Sequence, residues 1–113
     1  MTVNEKIQAV TQKVCQAAKN SLGDKLYKVI LYGSYARGDY NEDSDIDIII
    51  LADVPQESVY GESMKISRLL SGIDLEYDVL ISFHVTSLEI FNEFFEVEPF
   101  YINIMKEGLV LNA

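Results

Sequence analysis

Residues 29–53 read VILYGSYARGDYNEDSDIDIIILAD, from Val29 to Asp53. Val29-Ile30-Leu31 is a short apolar run of the kind that forms a buried strand. The chain then turns at Gly33-Ser34. Ten residues later it enters a second apolar run that begins Asp45-Ile46-Asp47-Ile48. Side chains two apart on a strand share a face. Asp45 and Asp47 are therefore expected side by side, with Ile46 and Ile48 turned the other way into a core. Paired carboxylates on a buried strand repel each other and lose hydration. A divalent cation offsets that cost, and Mg²⁺ is suited to one or two protein carboxylates together with substrate phosphates. Gly33 lets the backbone come close to a ligand, and Ser34 at a helix start offers N–H groups and a hydroxyl to a phosphate. Four apolar residues, Ile48 to Leu51, follow the acids, which argues against an exposed edge strand and for burial on both faces.

Gly33-Ser34, ten residues, then Asp45-x-Asp47 resembles the signature of the DNA polymerase beta superfamily of nucleotidyltransferases. The longer string, Gly33-Ser34-Tyr35-Ala36-Arg37-Gly38 with Ser44-Asp45-Ile46-Asp47, is similar to the minimal nucleotidyltransferases, including the MntA-type antitoxins paired with HEPN toxins. The resemblance implies an α+β fold, α/β-like in its element order, in which a small mixed β-sheet is flanked by helices. It also implies a third carboxylate on the strand after the second helix. Asp78 is the candidate, with Glu76 and then Asp74 behind it.

The composition bounds the alternatives. At 113 residues the chain is expected to form a single domain over 1–113. No stretch approaches the roughly 18 apolar residues of a membrane span. The first residues lack a secretion-signal pattern, and the single cysteine, Cys15, has no partner for an internal disulfide. A reducing cytoplasm is the expected setting. Nine basic residues against eighteen acidic ones give a formal charge of −9, which argues against direct nucleic-acid binding and suits either plain solubility or a basic protein partner.

In chain order, apolar spacings of three and four (Ile7, Val10, Val14, Ala18, Leu22) predict a helix over 4–22, with Asn4 as N-cap and Gly23 beyond its end. Cys15, beside that stripe, reads as a packed thiol. Strands are expected at Tyr27–Leu31 and Asp45–Leu51, separated by one helical turn in 33–38 and the polar loop 39–44. A second helix is expected over 56–71, with Val59, Met64, Ile66, Leu69 and Leu70 as its apolar positions. The alternation of Leu75, Tyr77, Val79 and Ile81 against Asp74, Glu76, Asp78 and Leu80 predicts a third strand over 73–85, with Asp78 in its middle. Thr86 or Ser87 then caps a third helix, Pro99 interrupts the phenylalanine-rich segment, and a last helix over 100–106 leads to an edge strand at 109–111. Phe91, Phe94, Phe95 and Phe100 read as core or as a docking patch. Tyr32, Tyr35 and Tyr40 read as packing, and His84, the only histidine, as structural or solvated. Arg37 is open to two roles: an ion pair with Asp39 or Asp43, or a contact to the β- and γ-phosphates.

The resemblance implies Mg²⁺-dependent transfer of AMP from ATP. Asp45, Asp47 and Asp78 would hold two ions, Asp78 would also help deprotonate the acceptor, and Gly33, Ser34 and Arg37 would meet the phosphates. It further implies that the acceptor is a hydroxyl, a tyrosine of a partner HEPN-domain toxin, and that the chain acts as an antitoxin. The alternatives are a nucleotide-binding module that masks the toxin without turnover, and transfer to a small molecule such as an aminoglycoside.

Overall fold

The computed structural model describes residues 2–112. The first helix, α1, spans Val3–Leu22. Its N-cap is Thr2 rather than Asn4: the Thr2 hydroxyl accepts the Glu5 N–H at 3.1 Å and donates to the Glu5 carboxylate at 3.0 Å. Thr-x-x-Glu is the capping-box spacing, and it satisfies an N–H that the first helical turn leaves free. Val10, Val14, Ala17, Ala18 and Leu22 form the buried stripe. A short 3₁₀ turn at Gly23–Lys25 leads into β1, Leu26–Tyr32.

One helical turn, α2 (Ser34–Arg37), and a loop separate β1 from β2, Ile46–Ala52. The two strands pair antiparallel, with Ile30 opposite Ile49 and Tyr32 opposite Asp47. A 3₁₀ turn at Gln56–Ser58 and helix α3, Val59–Leu69, follow. Ile66 and Leu70 carry the buried contact here, whereas Met64 and Leu69 are largely exposed. Two apolar positions four apart suffice to seat so short a helix.

The expected third strand divides. Ile73–Tyr77 is a helix, α4, and the strand β3 starts only at Ile81 and runs to Ser87. Alternation and helical spacing compete over Ile73-Asp74-Leu75-Glu76-Tyr77. The helical solution buries Ile73 and packs Tyr77, four residues on, against the same core, while Leu75 is left 87% exposed. Asp78 ends α4 in the left-handed region, at φ 53° and ψ 54°. Among the described residues it is the only non-glycine with positive φ. Aspartate tolerates that conformation better than most residues.

Ser87 is the cap of α5, Leu88–Phe94, and its hydroxyl accepts the Ile90 N–H at 3.2 Å. Pro99 opens the last helix, α6, Pro99–Glu107, one residue ahead of the expected start, where its missing N–H costs nothing. Then β4, Leu109–Val110, pairs antiparallel with β1. The Asn112 side chain extends that pairing, its Oδ1 accepting the Val29 N–H at 2.6 Å.

The sheet order is β3-β2-β1-β4, with β2 and β3 parallel. The acid-bearing strand β2 is therefore interior. Ile46, Ile48 and Ile50 face a core shared with α1 and α3. Ile49 and Leu51 face a second core with Ile30, Phe91 and Ile104, beneath α5 and α6. All five of these β2 side chains are at most 1% exposed. The mixed sheet with helices on both faces matches the expected α+β architecture.

Two glycine substitutions test the packing. A Cβ on Gly61, within α3, meets nothing within 4 Å, so Gly61→Ala is expected to stabilise the fold by up to about 1 kcal/mol through helix propensity. A Cβ on Gly108 collides with the Ile104 carbonyl and the Ile30 side chain. Gly108→Ala is expected to cost about 1–3 kcal/mol. Urea unfolding of both variants measures the opposite signs.

Candidate active site

The end of β1 and the start of β2 meet at one end of the sheet. Gly33 turns the chain with φ 75°, and its backbone lies so close to Asp47 that a Cβ would strike Asp47 Oδ2. Only glycine fits there on both counts. The Gly33 carbonyl accepts the N–H groups of Ala36 and Arg37 at 3.1 and 3.0 Å, closing the single turn of α2. The first N–H groups of such a turn have no partner within it, and here they belong to Ser34 and Tyr35 beside the carboxylates.

The following loop is braced by its own side chains. Asn41 Oδ1 accepts the Asp43 N–H at 2.8 Å, and Ser44 Oγ accepts the Asn41 N–H at 2.9 Å. Tyr35 and Tyr40 stack at 4.4 Å between ring centroids. The turn-forming DYNEDS segment thus delivers Asp45 to the head of β2 in a fixed position.

Asp47 is half-buried. Its register partners are Tyr32 on β1 and Ser82 on β3, so these three share one face of the sheet. Burial raises the Asp47 pKa first, and the neighbouring Asp45 charge raises it further, while His84 and Arg37 pull it down more weakly. The folded chain therefore holds the Asp47 proton to higher pH than the unfolded chain. The ionised group costs stability as pH rises through the carboxylate range. Burial, and then the Asp47 charge, push the Tyr32 hydroxyl up to about 12, so it stays protonated.

The other expected residues are placed as follows. Arg37 pairs with Asp39 at 3.1 Å and with Glu107 of α6 at 3.4 Å, not with Asp43. These pairs are largely solvent-exposed, and such pairs hold a side chain weakly. Asp78 is not on a strand. It lies on the exposed turn before β3 and lines, with Asp45, Lys6, Tyr35, Tyr40 and Leu80, an open cleft of about 660 Å³. Among the described residues no three His, Cys, Asp or Glu side chains converge as a metal-holding group. What the fold brings together is the pair Asp45 and Asp47. His84 lies mid-strand in register with Ile49, not at a strand end, and shares the face of Asp47. Its signal in the sequence is the Ile81–Ser87 alternation, which the longer strand expected there obscures.

The pair suits a hard divalent cation. Two carboxylate groups stand in electrostatic contact, one is half-buried with a raised pKa, and neither has a lysine or arginine ion pair among the described residues. A cation there would relieve both the repulsion and the lost hydration.

Comparison with known proteins bears on the family and the fold. A family model described as a nucleotidyltransferase domain matches residues 11–111. A protein of Methanocaldococcus jannaschii named "Putative protein adenylyltransferase MJ0141" is 52% identical over 61 residues, covering 54% of this chain and 60% of its own length. A second from that organism, "Putative protein adenylyltransferase MJ0604", is 41% identical over 95 residues, covering 84% of this chain and 87% of its own. The chain thus spans under two thirds of the first relative and most of the second. Among solved structures, a Sulfolobus solfataricus protein described as "a putative nucleotidyltransferase" superposes with a TM-score of 0.58 at 19% identity, over 94% of this chain and 82% of the other. A toxin–antitoxin crystallised with AMP-PNP superposes at 0.54 and 19% identity, over 91% and 73%. These two share the fold. With the family model running from α1 to the last strand, over residues 11–111, this chain belongs to the nucleotidyltransferase domain family.

Proposed function

We propose that the chain transfers AMP from ATP to a protein hydroxyl, a tyrosine of a partner HEPN-domain toxin, and so acts as an antitoxin. The observation that carries this reading is Asp47 near the head of a buried central strand, packed against the Gly33 turn and within electrostatic reach of Asp45. The names of the Methanocaldococcus relatives support adenylyl transfer to protein. The toxin–antitoxin and AMP-PNP neighbours support a toxin partner and ATP.

In this reading Asp45 and Asp47 hold Mg²⁺, with Asp78 approaching from the shared cleft as the third carboxylate, up to two ions in all. The metal would supply charge neutralisation for the triphosphate and the leaving group. The Ser34 and Tyr35 N–H groups and the Ser34 hydroxyl take phosphate oxygens. Arg37 leaves its exposed partners Asp39 and Glu107 to meet the β- and γ-phosphates. The acceptor oxygen bonds to the α-phosphorus, the bond from that phosphorus to the bridging oxygen breaks, and pyrophosphate departs. The hydroxyl proton passes to a base beside the acceptor. The acidic surface, at net −9, favours a basic protein partner over nucleic acid. The single cysteine fits a reducing cytoplasm.

One observation favours a second reading. The described residues bring only two acids together, without a converged third, as a nucleotide-binding module that masks its partner would also do. Asp47→Asn separates the two. Incubated with ATP and Mg²⁺, a co-purified partner is expected to gain whole AMP increments with the wild type and none with the variant, read by intact mass. Complex formation should persist. Partner neutralisation that survives Asp47→Asn would establish masking instead.

The metal is tested without turnover. Mg²⁺ at a hundred times its Kd should add about 2.7 kcal/mol to the stability of the wild type and little to Asp47→Asn. In metal-free buffer at neutral pH the variant should melt higher than the wild type, because it removes a destabilising charge. Circular dichroism melts with and without Mg²⁺ measure both effects.

A further inference from the structure

The face of the sheet that carries Asp47 has an aromatic wall that the adenylyl-transfer chemistry above does not use. Phe100, in the first turn of α6, stands over the central strand. Its ring centroid is 5.4 Å from that of Tyr32 on β1, at 87° between planes. It is 6.2 Å from the His84 ring on β3, at 84°. Tyr32 is in register with Asp47, and His84 is one same-face step beyond Ser82, the other register partner of Asp47. Phe100 therefore reaches across the sheet from Tyr32 on β1 to His84 on β3, on the face that carries Asp47. It is 41% exposed, and His84 is exposed as well. Among the described aromatic pairs no ring lies parallel to Phe100: Tyr32 and His84 meet it edge to face and Tyr101 is tilted by 50°. A planar ring could stack on it at low cost.

The two flanks of the carboxylate pair differ in chemistry. The Asp45 flank is the open polar cleft with Lys6, Asp78 and the stacked Tyr35–Tyr40 pair, about 660 Å³ in volume and of a size for a nucleotide. The Asp47 flank is narrower in character: one exposed phenylalanine, one imidazole and one protonated tyrosine hydroxyl. In-line displacement brings acceptor and leaving group to the reacting phosphorus from opposite sides.

We propose that Phe100 and His84 form the acceptor side of the site and select a phenolic hydroxyl, with the acceptor ring stacked on Phe100 and its hydroxyl donating to a ring nitrogen of His84 beside Asp47. This rests on the adenylyl-transfer reading and assigns its acceptor by chemistry: an aliphatic hydroxyl brings no ring to cover Phe100. His84 would touch the acceptor, and Phe100 would set specificity without touching the reacting atoms.

His84 is the only histidine, so its imidazole gives a single Cε1–H resonance in proton NMR. N-acetyl-tyrosinamide titrated into the wild-type chain is expected to move that resonance saturably, and Phe100→Leu is expected to weaken the binding about tenfold, as loss of an aromatic pair does. N-acetyl-serinamide should leave the resonance in place. No saturable shift with the phenol, an equal shift with the serine compound, or a shift with adenosine but not with the phenol would each overturn the proposal; the last would give this wall to the nucleobase. With a protein acceptor, His84→Gln and Phe100→Leu should lower acceptor kcat/KM while leaving the KM for ATP unchanged, and a raised KM for ATP instead would also overturn it. The transfer reading and the acceptor subsite fail separately. A phenol shift without AMP transfer to any partner sinks the transfer reading and leaves the subsite standing. AMP transfer without the shift sinks the subsite alone.

Discussion

Asp47 occupies an interior strand, and the rest of the molecule fixes it there. Ile46, Ile48 and Ile50 fill one core while Ile49 and Leu51 fill the other. A slip of one residue would send every one of these side chains to the opposite face and drive the carboxylate into hydrocarbon. The isoleucine run thus sets the position of the acids as well as the stability of the sheet. The Gly33 backbone closes over Asp47 from β1 and permits no side chain between them. A half-buried acid with a raised pKa destabilises the fold as it ionises. Groups kept at such a cost cluster at functional sites.

The two helical layers do different work around that strand. α1 and α3 cover the larger core, which holds most of the fully buried side chains. α5 and α6 cover the smaller one, and they leave the Asp47 end of their face open to Phe100, Tyr32 and His84. The C-terminal segment holds this second layer in place. Gly108 lets α6 pass close to Ile30, and the Asn112 side chain continues the hydrogen bonding of β4 along β1. Changes in the last few residues should therefore be felt at the site through α6, which supplies both Phe100 and the Glu107 partner of Arg37.

The failed expectations over residues 73–85 share one cause. Ile73–Tyr77 satisfies strand alternation and helical spacing about equally well, and the choice was made by where Ile73 and Tyr77 could be buried. That choice moved Asp78 off the strand to a left-handed turn at the cleft mouth. It also moved the strand from 73–85 to 81–87, which sets His84 at its middle, in register with Ile49. Arg37 had Asp39 in reach within its own loop, but its second partner, Glu107, is seventy residues away in sequence.

The sequence by itself determined the local features: the Gly33-Ser34 turn, the paired acids of Asp45-x-Asp47 on an interior strand, the long first helix and a helix start at Thr86 or Ser87. Each follows from residue type and short-range spacing, which act through backbone sterics, hydrogen bonds to near neighbours and one-dimensional periodicity. Only the tertiary structure decided the order of the strands, the parallel register of β2 with β3, and the placing of His84 and Phe100 on the face of Asp47. Those depend on which surfaces bury each other across long loops, and no local pattern encodes that.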